Sequence, residues 1–367
     1  MFILFIIIFI IVVFSLFIAA YMQLPKFGKL PSGARQDSIE LEPNYINGSF
    51  QNLSPTPQLT EGASFFTVLK QFVFDKPKRG KPADILPSHK TDLHRLHPDE
   101  NVLVWFGHSS YFLQVDGRKM LIDPVFSGSA SPLPGGTKSF PGSDVYSVAD
   151  IPELDYLLIT HDHYDHLDYK TIRQLRPKVK KVITSLGVGA HLELWGYDKN
   201  IIIEKAWNEE EMLEPGFKIN TIPARHFSGR TFKRNRSLWQ SFILITPTLK
   251  LFLGGDSGYD THFCDAGEKF GPFDLVILEC GQYNKNWRYI HMLPDEVVQA
   301  AKDLKAKLLL PVHWGKFQLS LHDWDTPIIT ITQIAKEENM PIITPMIGQP
   351  VNLKEPGIFS PWWENLK

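Results

Sequence analysis

Between Thr160 and Asp168 the chain reads T-H-D-H-Y-D-H-L-D, and four groups able to ligate a metal, His161, His163, Asp165 and His166, stand close together. Imidazole and carboxylate are the ligands of catalytic zinc, which commonly takes three protein groups and keeps a position for water. The apolar run Leu154–Ile159 leads into this cluster and reads as a buried strand, so the polar residues begin where the strand should end. On extended backbone, residues two apart project to the same side. His161 and His163 can therefore grip one ion together, while Asp165 and His166 lie past the bend and suit a second ion beside it. The plain alternative is a polar loop rich in histidine by accident. Three His and an Asp directly behind a buried strand argue against that.

Further candidates come later in the chain. His226 follows an apolar run at 218–222, Asp256 sits in G-G-D-S-G behind a run at 249–253, and His313 follows a run at 307–310. Taken singly, each looks like a cap or turn residue. Taken together, they all stand just beyond strand ends, and a common rim would bring them to the first cluster. His108 and Asp123 also follow strand-like runs, and His108 is expected to be a locally bonded turn residue or a partner of a ligand, not a ligand itself.

The elements that must position these residues follow from periodicity. Runs at 102–106, 111–115 and 119–122 read as short strands, broken by Gly107 and by Asp116-Gly117, a hairpin signal. After the His cluster the pattern alternates: helix 171–175, strand 181–184, helix 190–195, strand 201–204. The second half adds strands at 218–222, 241–246, 249–253, 275–278 and 307–310 and a helix at 294–304. The loop 127–142 is rich in Gly, Pro and Ser, the kind of segment that borders sites. The globular body is expected over 101–350, with a tail at 351–367.

The length of 367 residues suggests about two domains at roughly 150 residues each, although a large α/β sandwich uses more in one. Apolar content of 43% and charged content of 21% are those of a globular protein. The net charge of -2 gives no sign of a nucleic-acid partner. Cys264 and Cys280 sit in no C-x-x-C motif and cannot build a disulfide framework.

Residues 2–22 are almost entirely apolar and, as a helix, span roughly 30 Å, enough for the hydrocarbon core of a bilayer. No Lys or Arg precedes them, so the basic start of a signal peptide is missing. A retained single-pass anchor is the expectation; a signal cleaved near Ala19-Ala20 is the alternative. Lys26, Lys29 and Arg35 follow, which by the positive-inside rule favours a cytoplasmic body. The extension at 23–100 opens with a linker, or an arm lying on the body, over 23–62. Phe65, Phe66, Val68, Leu69, Phe72 and Val73 then recur at helical spacing. Packing on the core is the simpler expectation for that stripe, and contact with a membrane surface the other. Lys76, Lys78, Arg79 and Lys81 form a solvated loop or meet anionic headgroups.

The H-x-H-x-D-H stretch with its downstream candidates resembles the metallo-β-lactamase superfamily over about 101–348. The resemblance implies an αββα sandwich, two mixed sheets face to face with helices outside. It implies that His161, His163 and His226 hold one zinc, that Asp165, His166 and His313 hold a second, and that Asp256 bridges both. The oxygen-reducing di-iron branch carries Glu where His163 stands, which favours zinc here. Gly107-His108-Ser109-Ser110, Leu121-Ile122-Asp123-Pro124, Pro223-Ala224-Arg225-His226, Trp239, Gly255-Asp256-Ser257-Gly258-Tyr259, His291 with Pro294, and His313-Trp314-Gly315 are similar to the N-acyl-phosphatidylethanolamine-hydrolysing phospholipase D family. Arg225 departs from the animal pattern, which has Gln.

What this implies is a membrane-anchored dinuclear zinc phosphodiesterase that cleaves N-acyl-phosphatidylethanolamine to N-acylethanolamine and phosphatidic acid. Its partners would be phospholipid and membrane, with a homodimer left open. Two cations roughly 3.5–4 Å apart activate water and neutralise phosphate oxygens. Asp165 would ligate and orient that water; His291 would bond phosphate or donate to the leaving group, and its plain alternative is a helix cap. Two other readings compete: a zinc hydrolase of small soluble esters, such as a lactonase or phosphodiesterase, and a non-catalytic scaffold.

Overall fold

The computed structural model describes all 367 residues. Helix α1 (Phe2–Tyr21) buries none of its residues and stands off the body. It is the one helix long and apolar enough to cross a membrane. A 3-10 turn at Pro25–Phe27 follows, then α2 (Ala34–Glu40), the hairpin β1 (Tyr45–Ile46) and β2 (Ser49–Phe50), and α3 (Phe65–Phe74). Ile39 and Phe50 are buried against Leu238 and Trp239, so the stretch after α1 is an arm fastened to the body.

The body begins with β3 (Val102–Trp105), β4 (Tyr111–Val115), β5 (Arg118–Ile122) and β6 (Leu154–Ile159). Helix α4 (Tyr169–Leu175), β7 (Val179–Ser185), α5 (Gly189–Leu194) and β8 (Ile202–Lys205) follow. Then come β9 (Glu210–Glu214), β10 (Phe217–Pro223), β11 (Gln240–Ile245), β12 (Lys250–Leu253), α6 (His262–Phe270) and β13 (Leu275–Glu279). The chain closes with α7 (Pro294–Asp303), β14 (Leu309–Val312), α8 (Thr326–Glu337) and β15 (Pro350–Asn352). One sheet has seven strands in the order β15-β3-β4-β5-β6-β7-β8, and the other has six in the order β14-β13-β12-β11-β10-β9.

Both sheets are mixed. Strands β3 to β5 pair antiparallel, with Asp116 at φ 48° in the turn between β4 and β5. Strands β5 to β8 are parallel; the long segment 123–153 makes the crossover from β5 to β6, and α4 and α5 supply the next two. Successive residues on a strand face opposite ways, and the two cores show it. Leu113, Ile122 and Leu158 join Phe242, Leu253 and Ile277 between the sheets. Their neighbours Phe112, Leu121 and Leu157 pack under Ile172 and Leu175 of α4 on the outer face. Cutting any of these leucines to alanine costs about 2–5 kcal/mol. This is the αββα sandwich expected from the sequence.

Four differences are informative. The last predicted strand lies two residues later, and its edge position tolerates Pro311; it ends directly before His313. The apolar stripe at 65–73 does not pack on the core: α3 buries no residue, and Phe66 and Leu69 are 79% and 62% exposed. Only the stacking of Phe72 on Trp287, with centroids 6.0 Å apart, ties its apolar side to the body. The basic stretch beside it is partly neutralised, since Arg79 pairs with Asp325. The segment expected as a tail is built in: β15 pairs with β3, and Trp362 stacks on Trp314 at 5.1 Å.

His262, at the start of α6, is buried, and burial pushes its imidazole down to about 4. The folded value lies below the unfolded value of about 6.5, so the unfolded chain takes the proton first. The destabilisation is absent above about pH 6.5 and grows as pH falls towards 4, to on the order of 3 kcal/mol. We expect His262→Gln to flatten the loss of stability between pH 7 and 4.5, read from urea midpoints. Parallel curves for the two proteins would exclude His262 as a contributor.

Candidate metal centre

The strand ends of both sheets deliver their polar residues to one rim. His161, His163, Asp165 and His166 follow β6; His226 follows β10, Asp256 follows β12 and His313 follows β14. His161, His163, His226 and Asp256 form one group whose ligand atoms all lie within 4.8 Å of one another. His163 offers Nδ1, which stands 2.9 Å from His161 Nε2 and 3.2 Å from His226 Nε2. A second group joins Asp165, His166 and His313, with His108 beside them. Asp256 lies between the groups. Its Oδ2 is 3.2 Å from His166 Nε2 and 3.7 Å from His226 Nε2, and its Oδ1 is 3.1 Å from His313 Nδ1.

The far sides of three rings, those of His161, His166 and His226, are held, while His163 Nε2 has no partner. His226 Nδ1 donates to the Ile290 carbonyl at 2.9 Å, and the Thr160 hydroxyl is 3.0 Å from His161 Nδ1. His166 Nδ1 bonds Asp123 Oδ2 at 2.8 Å, while Asp123 also accepts from the Thr160 amide and hydroxyl. His108 Nε2 bonds Asp165 Oδ2 at 2.8 Å, the partner role expected for it. Ser109 Oγ lies 2.8 Å from His313 Nδ1. Such outer bonds set ring orientation and leave the inner nitrogen free to bind. Asp162, between the two leading histidines, points away from them, as alternation requires. It accepts from Gly229 N–H and Ser237 Oγ–H and meets His191 Nε2 at 3.2 Å.

The charges fit a cation. Burial pushes His161, His226 and His313 well below the ordinary imidazole range, so all three are neutral at pH 7. Burial opposes charge on His166 too, but Asp256, Asp165 and Asp123 around it overcome that and raise it. The carboxylates around His166 thus call for positive charge there. Burial raises the Asp256 carboxyl to about 6, the cost of an anion in this setting without a cation beside it. His163 Nε2, His166 Nε2 and Asp256 Oδ1 are buried without a hydrogen-bond partner. This donor set of imidazoles and carboxylates suits two divalent cations.

His291 comes to the same place. Its ring lies 5.1 Å from that of His226 and 5.2 Å from that of His313, and its Nδ1 bonds Glu279 Oε2 at 2.7 Å. Glu279 is completely buried at the end of β13 and also accepts the Ser257 and Met292 amides. Sequence reasoning passed over Glu279, although it too is a polar residue ending an apolar strand. Asp123 carried the same signal without a role being drawn from it. His191 had no readable signal and Ser109 stood only within a quoted motif, because tertiary contact alone gives them partners. Cys264 is exposed, Cys280 is buried, and neither is among the convergent ligand groups.

The cleft above the ligands holds about 410 Å³. His163, Asp165, Asp256 and His313 form its floor, and Phe65, Phe72, Phe227, Trp287, Ile290 and Leu319 its walls. Because Asp123 alone orients His166 from behind, Asp123→Asn should weaken metal binding at the second group by about 10–100-fold. Titration of metal-depleted protein with zinc, followed by calorimetry, checks this; unchanged affinity at both steps removes Asp123 from the site.

Comparison with known proteins agrees with this geometry. Residues 118–314 match the model of the beta-lactamase superfamily domain. An uncharacterized protein of Mycobacterium tuberculosis is 36% identical over 330 residues, covering 88% of each chain. The N-acyl-phosphatidylethanolamine-hydrolyzing phospholipase D 1 of Caenorhabditis elegans is 30% identical over 302 residues, covering 75% of this chain and 81% of its own. Among solved structures, the diiron β-hydroxylase CmlA of Streptomyces venezuelae superposes with a TM-score of 0.54 at 20% identity, over 70% of this chain and 55% of its own. The fold therefore accommodates iron as well as other metals. Candidate ligands at the strand ends of two mixed sheets, the matched domain and these relatives together place the chain in the metallo-β-lactamase superfamily, as a metal-dependent hydrolase.

Proposed function

We propose that the protein is a phospholipase D-type phosphodiesterase that cleaves N-acyl-phosphatidylethanolamine to N-acylethanolamine and phosphatidic acid, with two zinc ions as its cofactors. The observation that carries this reading is the cleft's polarity gradient. Its floor is ionic and its walls are aromatic and aliphatic. The apolar lining continues through Phe65 and Phe72 onto the exposed side of α3, where Phe66, Leu69 and Val73 face solvent. A phosphate fits the floor and acyl chains fit the walls. A small soluble ester has no use for the exposed apolar continuation, which suits burial in a bilayer surface. The two relatives named as phospholipases of this type, from worm and yeast, support the substrate class.

His161, His163 and His226 would hold one zinc, Asp165, His166 and His313 the other, and Asp256 both. When bound, the pair supplies Lewis acidity and lowers the pKa of water. Asp165, steadied by His108, is placed to orient that water and take its proton. His291, whose Nδ1 is fixed by Glu279, presents its other nitrogen to the cleft for the phosphate or leaving oxygen. The walls exclude bulk water and align the phosphorus for attack.

Asp165→Asn should lower turnover by on the order of 10²–10⁴-fold, the range for loss of a general base, while circular dichroism stays unchanged. Wild-type turnover in the folded variant removes Asp165 from the reaction. A chain beginning at Gln23 keeps every ligand. It should retain its metal and its activity on detergent-dispersed substrate yet lose most activity on bilayers, because α1 raises the local concentration at the surface. If both forms ignore phospholipid and hydrolyse a soluble phosphodiester or lactone, the lipid assignment fails.

A further inference from the structure

A second cavity, of about 560 Å³, opens beside the metal cleft at the root of α1. One wall is the segment that leaves α1, from Met22 to Ser32; the other is the loop from Gly229 to Ser237. The two cavities share that loop: Phe227 and Arg234 line the metal cleft, and Arg230, Lys233 and Arg236 line this one.

Its cations lack carboxylate partners, although the Arg230 guanidinium stacks on the Tyr164 and Trp195 rings. Lys29 and Lys233 are exposed, and their side chains have no ion-pair partner; Arg230 and Arg236 have no carboxylate partner either. Arg230 is only 4% exposed, and its three hydrogen bonds all go to carbonyls, of Asp162, Leu167 and Lys26. Its Nε–H, like that of Arg236, is buried without a partner. The one acid in the lining, Asp162, already has three partners. Neighbouring Arg35 shows the contrast, since it is paired with both Glu193 and Glu204. A buried guanidinium with a free N–H, ringed by unpaired cations, calls for an anion, and arginine suits phosphate best.

We propose that this cavity holds the phosphate headgroup of an anionic bilayer phospholipid. The inference takes from the proposed function only that α1 lies in a bilayer, which puts the cavity at headgroup depth. Polybasic groups at that depth are drawn to anionic lipid.

The test uses the full chain in phosphatidylcholine vesicles containing phosphatidylglycerol, with bound lipid counted by native mass spectrometry. Turnover is not read, so failure of the phospholipase reading leaves the outcome interpretable. We expect the wild type to retain one phosphatidylglycerol that Lys29→Glu/Lys233→Glu binds at least about tenfold more weakly, with Lys233→Arg restoring it. Both lysines are exposed, and circular dichroism checks that the charge-reversed protein is folded. Equal retention by the charge-reversed variant overturns the proposal, as does equal retention of phosphatidylcholine. Displacement of the lipid by an equal concentration of inorganic phosphate assigns the cavity to free phosphate and removes the lipid.

Discussion

A single buried carboxylate sets the terms for the rest of the molecule. Asp256 is 4% exposed and lies between two groups of imidazoles, each drawn from both sheets. An anion in such a place is costly unless positive charge meets it. Meeting it requires the end of β12 in one sheet to approach the end of β6 in the other. Gly255, at φ 61°, permits that approach: a Cβ there would sit 2.9 Å from the Thr160 side chain. Thr160 in turn bonds Asp123, which orients His166. The register of the sandwich and the geometry of the ligands are therefore one problem with one solution.

Much of this was legible in the chain because the side-chain period of a strand is fixed. Apolar runs ending in His or Asp marked every proposed ligand, and all seven converge in the structure. The hairpin at Asp116-Gly117 was legible through turn chemistry. What escaped did so for physical reasons. Helix α8 carries T-P-I-I-T-I-T, a β-branched run with a strand's composition, and packing overrides it. Strand β9 is E-E-M-L-E and has no apolar alternation to read. Trp362 and Trp363 stand in a segment rich in Pro and charge, and only the facing Trp314 reveals their place. Glu279 ended an apolar run like the ligands did, yet its use depends on His291 twelve residues on.

The apolar stripe at 65–73 separates two kinds of inference. Periodicity gave a helix, and the structure contains one, capped by Ser64 accepting the Thr67 amide. Periodicity could not say what the apolar side faces, because a core and a bilayer look alike to a sequence. Position adds what periodicity lacks: α3 sits at the lip of the cleft, where Phe72 meets Trp287, with its apolar side exposed.

The joint between α1 and the body is stiff. Trp195 Nε1–H donates to the Pro25 carbonyl, Arg230 to that of Lys26, and the Lys29 amide to His191 Nδ1. Phe27 is buried, and a Cβ at Gly28, which has φ +79°, would stand 2.0 Å from His191 Nδ1. His191 then meets Asp162, inside the ligand loop. A helix fixed this way cannot swivel freely beneath its cargo. With α1 embedded, the body keeps one rotational freedom, about the membrane normal, and the tilt of the cleft is set by the helix. Encounters with lipid then depend on lateral diffusion in two dimensions and not on tumbling.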